Sequence, residues 1–278
     1  MVTGGAAGIG RASCVAFAQQ GADVVVSDIN VAGAEETASS VRELGRQALV
    51  VEADVTKREQ VEEIVQRSID WQGRIDLFYS NAGVGVGGPP HRVPLDDWEW
   101  IIDVNLWPHI WAVRKVIPHM LERGSGHLVH TASSAGVIGF PQLIPYCVTK
   151  FAVVGLCESL AVWGQPRNIG VSVVCPLAVA TDINERSRST PEEGMSPEAV
   201  ERIRGFASRI LHDTGIPPSQ VAEAVVDAVR DGRLYVFPHP ELKDMLDAKW
   251  ADPDAWVANQ AHMWEMQRQA VEQMASGS

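Results

Sequence analysis

"TGGAAGIG", residues 3 to 10, sets Gly4, Gly8 and Gly10 just ahead of "RASCVAFAQQG", a run with apolar residues at helical spacing. Missing side chains let a pyrophosphate reach the backbone, and a helix start offers unpaired N–H groups and partial positive charge. Ala7 and Ile9 belong to the same loop. A glycine trio alone is a weak signal, and the next strand supplies the support. "DVVVSD" (23 to 28) ends on Asp28, eighteen residues after Gly10, where a carboxylate can accept hydrogen bonds from ribose hydroxyls. A phosphate added to that ribose would meet an anion, so the pattern favours NAD over NADP. Arg11, the first residue inside the helix, is expected to point to solvent.

Outward from this loop, short β-branched runs alternate with longer helical patterns. "DVVVSD" (23 to 28), "QALVVEAD" (47 to 54), "RIDLFYSN" (74 to 81), "GHLVHTAS" (126 to 133), "GVSVVCP" (170 to 176) and "RLYVF" (233 to 237) read as strands. Several are apolar almost throughout, as parallel strands covered on both faces are. Helices are predicted over about 8–20, 31–44, 56–71, 96–122, 146–164 and 217–232. The fold class is therefore α/β: a doubly wound, Rossmann-like parallel sheet in a single domain of residues 1–240. The polar stretch 177–216 reads as a mobile flap with one or two short helices. Residues 241–278 read as a C-terminal helical tail, with Leu242, Met245, Leu246 and Trp250 at helical spacing, Trp256 and Trp264 extending its apolar surface, and its own domain or a sister subunit as the surface it packs on.

Composition narrows the function. A formal charge of −12 without a basic cluster argues against nucleic acid. No signal peptide and no 18-residue apolar run is visible, so a cytoplasmic protein without a membrane span is expected. Cys14, Cys147, Cys157 and Cys175 are scattered and read as buried thiols. The histidines show no metal-ligand spacing, His127 and His130 being read as flanking a strand, so no metal is expected.

"YCVTK" (146 to 150) places Tyr146 and Lys150 four apart, on one helix face with about 5 to 6 Å between Cβ atoms. A free phenol is a poor base at neutral pH. A nearby ammonium and an oxidised nicotinamide both favour its phenolate. Alone, such a pair is an ordinary helical neighbour contact.

In combination these residues resemble the short-chain dehydrogenase/reductase family from Val2 to about Phe237. The shared motifs are T-G-x-x-x-G-x-G at 3 to 10, "ADVT" with Asp54 and Val55, "NAG" at Asn81, Ala82 and Gly83, Asn105 in a long helix, Ser133, and Y-x-x-x-K at 146 to 150. Ser133 precedes Tyr146 by thirteen positions, the family interval, which favours it over Ser134. The resemblance implies a catalytic set of Asn105, Ser133, Tyr146 and Lys150. It further implies that Asp54 meets the adenine, that Asn81 to Gly83 lie along the cofactor, and that Pro176, Val179 and Thr181 stand by the nicotinamide, with Thr181 on its carboxamide. Tyr146 would take the proton of a substrate alcohol as hydride passes to NAD, Ser133 would orient the substrate oxygen, and Asn105 would position a water relaying protons toward Lys150.

Two departures stand out. Leu177 follows Pro176 where the family has glycine, and "MVT" leaves a stub in place of a full first strand, an expectation being that the natural start lies upstream. The substrate is expected to be an apolar secondary alcohol or ketone. Its site is expected among 84–94, 137–145 and the flap, with His91 and Arg92 facing water. Self-association into a dimer or tetramer, through about 96–122 and 146–164 with Trp107 and Trp111 as candidates, is implied by the family alone. A cofactor-binding sensor or scaffold, or a non-redox lyase or epimerase on the same fold, are the competing readings.

Overall fold

Strands and helices alternate much as the apolar runs predict. The computed structural model describes residues 1–191, 193 and 195–276. Its strands are β1 (Val2–Thr3), β2 (Val24–Asp28), β3 (Ala48–Glu52), β4 (Leu77–Ser80), β5 (Val86–Gly87), β6 (Gly126–Thr131), β7 (Ile169–Val174), β8 (Arg188–Ser189) and β9 (Tyr235–Val236). The helices are α1 (Gly8–Gln19), α2 (Val31–Glu43), α3 (Arg58–Gln72), α4 (Leu95–Asn105), α5 (Trp107–Arg123), α6 (Ile144–Gly164), α7 (Pro197–Thr214), α8 (Pro218–Asp231), α9 (Glu241–Ala251) and α10 (Pro253–Ser276).

Seven strands form one sheet in the order β3-β2-β1-β4-β6-β7-β9, with every pairing parallel. Both faces are covered. Phe78, Leu128, Val171 and Val173 pack with Val116, Met120 and Val153 of α5 and α6. Val2, Val24, Val26 and Val129 pack with residues of α1, α2 and α8. The first strand, a stub by sequence, pairs on both sides all the same: Val2 stands opposite Val26 of β2 and Tyr79 of β4, fully buried. Between β1 and β4 the strand order reverses, and a crevice opens there beyond the carboxyl ends of the strands.

Several expectations change. The helix expected over 96–122 is two helices broken at Leu106 (φ −124, ψ −56). Pro108 causes the break: it has no N–H to donate, and its ring would clash with a carbonyl one turn back. His127 and His130 lie within β6 rather than beside it, because β6 runs from Gly126. The flap contains a 3-10 turn (Asp182–Arg186) and the 18-residue α7 instead of short helices only. Residues 192 and 194 of the flap and 277–278 of the tail lie outside the described residues. In the tail Leu242 is buried and Met245, Leu246 and Trp256 pack on the core, but Trp250 is exposed. The four cysteines are free and buried. Residues 141–167, around α6, are long and apolar enough to cross a membrane on length and composition, an apolar stretch the sequence reading passed over; in the fold α6 packs against β7 and α4.

Candidate active site

Glycine conformation shapes the mouth of the crevice. Gly4 (φ +65) and Gly8 (φ +51) adopt left-handed backbone that side chains disfavour. A Cβ on Gly4 would stand 2.9 Å from the Ala82 backbone, and one on Gly8 3.0 Å from Thr181 Cγ2. The cradle stays open only with glycine at both places, which fits a pyrophosphate at the start of α1. Asp28 is buried at the end of β2; its carboxylate accepts from Ala6 N (3.0 Å) and Asn30 N (2.9 Å), tying the acid to the glycine loop. Arg11 keeps a solvent-exposed side chain, as expected, but not a free one. Its guanidinium folds back onto the Ala6 carbonyl and pairs with Glu36 at 2.8 Å, since an uncapped loop carbonyl and a carboxylate on α2 are both in reach.

A cleft of about 510 Å³ runs from this loop across the sheet end. Its wall brings together Gly4, Ala7, Gly8, Ile9, Asp28, Asp54, Val55, Asn81, Ala82, Gly83, Ser133, Tyr146, Lys150, Pro176, Val179 and Thr181, residues the sequence draws from seven separate stretches. Asp54 is oriented by Thr56, which donates from N (2.9 Å) and Oγ1 (2.7 Å) to its Oδ1. Asn81 straps the sheet together: Nδ2 donates to Thr3 O at 3.2 Å, and Oδ1 accepts from Thr131 Oγ1 at 2.9 Å. Gly10 stands apart from the cleft. A Cβ there would run into the Gly4 carbonyl and the Asn81 amide, so this glycine permits close packing of α1 on the strand ends instead of touching a ligand.

Asn105 is fully buried and also lies off the cleft wall. Sitting at the end of α4 where the helix breaks, its side chain accepts from Val84 N (2.9 Å) and donates to Val84 O (2.8 Å). It thereby fixes the segment that follows Gly83. Ser133 is buried on the wall, whereas Ser134 opens a 3-10 turn behind it with its amide on Pro176 O. Lys150 Nζ donates to Thr131 O at 2.9 Å and lies 5.5 Å from the centre of the Tyr146 ring.

Burial dominates the electrostatics. It lowers Lys150 from 10.5 to about 8. It raises the Tyr146 phenol to about 12, opposed by a hydrogen bond from Ser133. In the chain by itself burial is the largest influence on the phenol, while the Lys150 ammonium donates to the Thr131 carbonyl and stands over the ring, 5.5 Å from its centre. Behind Lys150, His109 and His130 face each other Nδ1 to Nδ1 at 2.8 Å, both fully buried and held neutral by desolvation, His130 at about 3 and His109 well below its ordinary value. One ring donates and the other accepts.

Substrate-side expectations fare unevenly. Of 84–94 only Val84 reaches the cleft, because β5 turns away to pair with β8; of 137–145 none does, Val137 and Phe140 joining the core cluster that includes the C-terminal extension. His91 and Arg92 face solvent as expected. The wall also includes Trp100 and Val104 of α4 and Leu177, Ile183, Arg186 and Leu211. Trp100 and Val104 escaped notice because a helix face turned toward a cleft has the same apolar spacing as one turned toward a core.

The family model described as short chain dehydrogenase matches residues 1–192. The chain is 32% identical over 256 residues to a CLA biosynthesis dehydrogenase/reductase of Lactiplantibacillus plantarum, covering 88% of this chain and 89% of that one. It is 32% identical over 257 residues to a 1-deoxy-11-beta-hydroxypentalenate dehydrogenase of Streptomyces exfoliatus, covering 90% of this chain and 87% of that one. Among solved structures, a short chain dehydrogenase/reductase from Burkholderia phymatum, in complex with NAD, superposes with a TM-score of 0.83 at 28% identity, covering 91% of this chain and 93% of that one.

Proposed function

The chain belongs to the short-chain dehydrogenase family, whose members are oxidoreductases, and on that premise we propose that it interconverts a secondary alcohol and a ketone with NAD as cofactor. The observation that carries the reading is the meeting of the Ser133 hydroxyl, the Tyr146 phenol and the Lys150 ammonium on the wall of the same cleft as the glycine loop. Bound there, the oxidised nicotinamide supplies a hydride acceptor and a positive charge. Tyr146 takes the carbinol proton, or returns it in the reverse direction. Ser133 holds the substrate oxygen beside that phenol. Lys150, braced on the Thr131 carbonyl, supplies a cation next to the ring, and Asn105 keeps the Gly83–Val84 backbone in place.

NAD in preference to NADP is supported by Asp28, whose buried carboxylate forms the wall at the ribose end, and by Arg11, whose guanidinium is engaged by Ala6 and Glu36. An apolar substrate is supported by Val84, Trp100, Val104, Ile183 and Leu211 on the cleft wall. Self-association is supported by exposed Trp107 and Leu121 on α5 and Val148, Phe151, Val162 and Trp163 on α6; light scattering tests it. Turnover of a panel of secondary alcohols, followed by absorbance of the reduced nicotinamide with NAD and with NADP, tests the activity. Tyr146→Phe is expected to lose at least about a thousandfold in kcat while still binding NAD. A Tyr146→Phe enzyme that turns over normally sinks the reading.

A further inference from the structure

The turn after β7 carries Pro176, Leu177, Val179 and Thr181 to the cleft, and its own backbone is held from behind. His239, buried, accepts from Leu177 N at Nδ1 (3.1 Å) and therefore donates from Nε2 to Ala178 O (2.9 Å). One imidazole thus grips an amide and a carbonyl of adjacent residues. Ile216 N adds a second donor to the Ala178 carbonyl at 3.1 Å. Three residues beyond His239, Leu242 of α9 is fully buried in the cluster that also contains Leu177, Val137 and Phe140. At the far end of α9, Lys249 Nζ donates to Val137 O at 2.7 Å. Val137 ends the 3-10 turn that begins directly after Ser133.

We propose that His239 is a positioning residue for the cofactor end of the site, and that His239 to Lys249 forms a brace holding the 176–178 turn and the turn after Ser133 in mutual register. Leucine at 177 gives the turn an apolar anchor in the core cluster, and the imidazole fixes the backbone on either side of the Leu177–Ala178 peptide. The inference rests on the dehydrogenase reading for its catalytic consequence, but not for its structural one.

Amide hydrogen exchange at Leu177, read on the full chain without cofactor, is the direct measure. His239→Ala is expected to speed that exchange by about tenfold or more, since the amide loses its acceptor. Asn places a carbonyl oxygen near the position of Nδ1, so His239→Asn should restore much of the Leu177 protection; Gln reaches the Nε2 position, so His239→Gln should not. The Kd for NAD, from tryptophan fluorescence, should rise about tenfold in His239→Ala, with kcat falling and the substrate KM nearly unchanged, as a displaced nicotinamide requires. Lys249→Met, which keeps the aliphatic stem, should lower kcat in the same direction by less. Unchanged Leu177 exchange in His239→Ala overturns the proposal, as does faster exchange with unchanged NAD affinity. Failure of the wild-type chain to oxidise any alcohol while Leu177 exchange follows the expected order would instead sink the dehydrogenase reading and leave the brace standing.

Discussion

Lys150→Met separates what the fold wants from what the site needs. The amine is 2% exposed, and burial lowers it from 10.5 to about 8. At about 1.4 kcal/mol for each tenfold change in proton affinity, that fall is worth about 3 kcal/mol. Because the folded pKa is the lower one, the unfolded chain binds more protons between about pH 8 and 10.5, and unfolding free energy rises with pH across that window. Below pH 8 the folded protein bears the whole penalty. Methionine carries none, but leaves the Thr131 carbonyl without its donor, a loss of about 1 kcal/mol. Lys150→Met should therefore be more stable than the wild type by about 2 kcal/mol at pH 7, less stable by about 1 kcal/mol near pH 10.5, and inactive throughout. Urea unfolding of both proteins from pH 6 to 10.5 gives the difference directly, other titrating groups cancelling between them. A stability difference that does not change with pH refutes the reasoning, whatever its size at pH 7.

Other outcomes follow from burial, packing and charge. His109, His127 and His130 all have lowered pKa values, His127 to about 4, so their stabilisation is present above pH 6.5 and lost as pH falls. Together they should remove up to about 4 kcal/mol per pH unit below 6.5, and His130→Phe should flatten that slope in chemical denaturation. Gly10→Ala presses a methyl against the Gly4 carbonyl and the Asn81 amide; it should lower stability by about 1 to 3 kcal/mol, seen as a fall in Tm. Asp28→Ala removes the anion at the ribose end, and the ratio of kcat/KM for NAD to that for NADP should fall by about tenfold or more; an unchanged ratio places cofactor choice elsewhere.

The strands and the glycine loop were legible because their signals are local: apolar runs of strand length, glycines before a helix, an acid at a strand end. Tyr146, Lys150 and Ser133 were legible by spacing, and the fold brings them to one wall. The break at Leu106 was carried by Pro108 and passed over because the flanking apolar periodicity continues on both sides of it. Trp100, Ile183 and Leu211 were not legible, since only tertiary packing decides whether such a side chain faces a core or a cleft. The same holds for Arg11, whose partners Ala6 and Glu36 lie on different elements. The burial that raises the Tyr146 phenol in the chain by itself was not legible, because proximity can be counted along a helix, while desolvation depends on everything that surrounds the ring.

The place of β1 has a consequence for how this chain is made. Val2 leaves the ribosome ahead of both its neighbours in the sheet, Val26 and Tyr79, which follow it at very different times. Until about residue 80 emerges, one side of that strand has no partner, and the apolar edge it shares with β2 is open to wrong pairing. Assembly of the two halves waits on contacts far apart along the chain, which slows folding. A chaperone-poor expression host should therefore yield more aggregate from this protein than from a helical bundle of similar size, and slower synthesis should help little, because the missing partner is still untranslated.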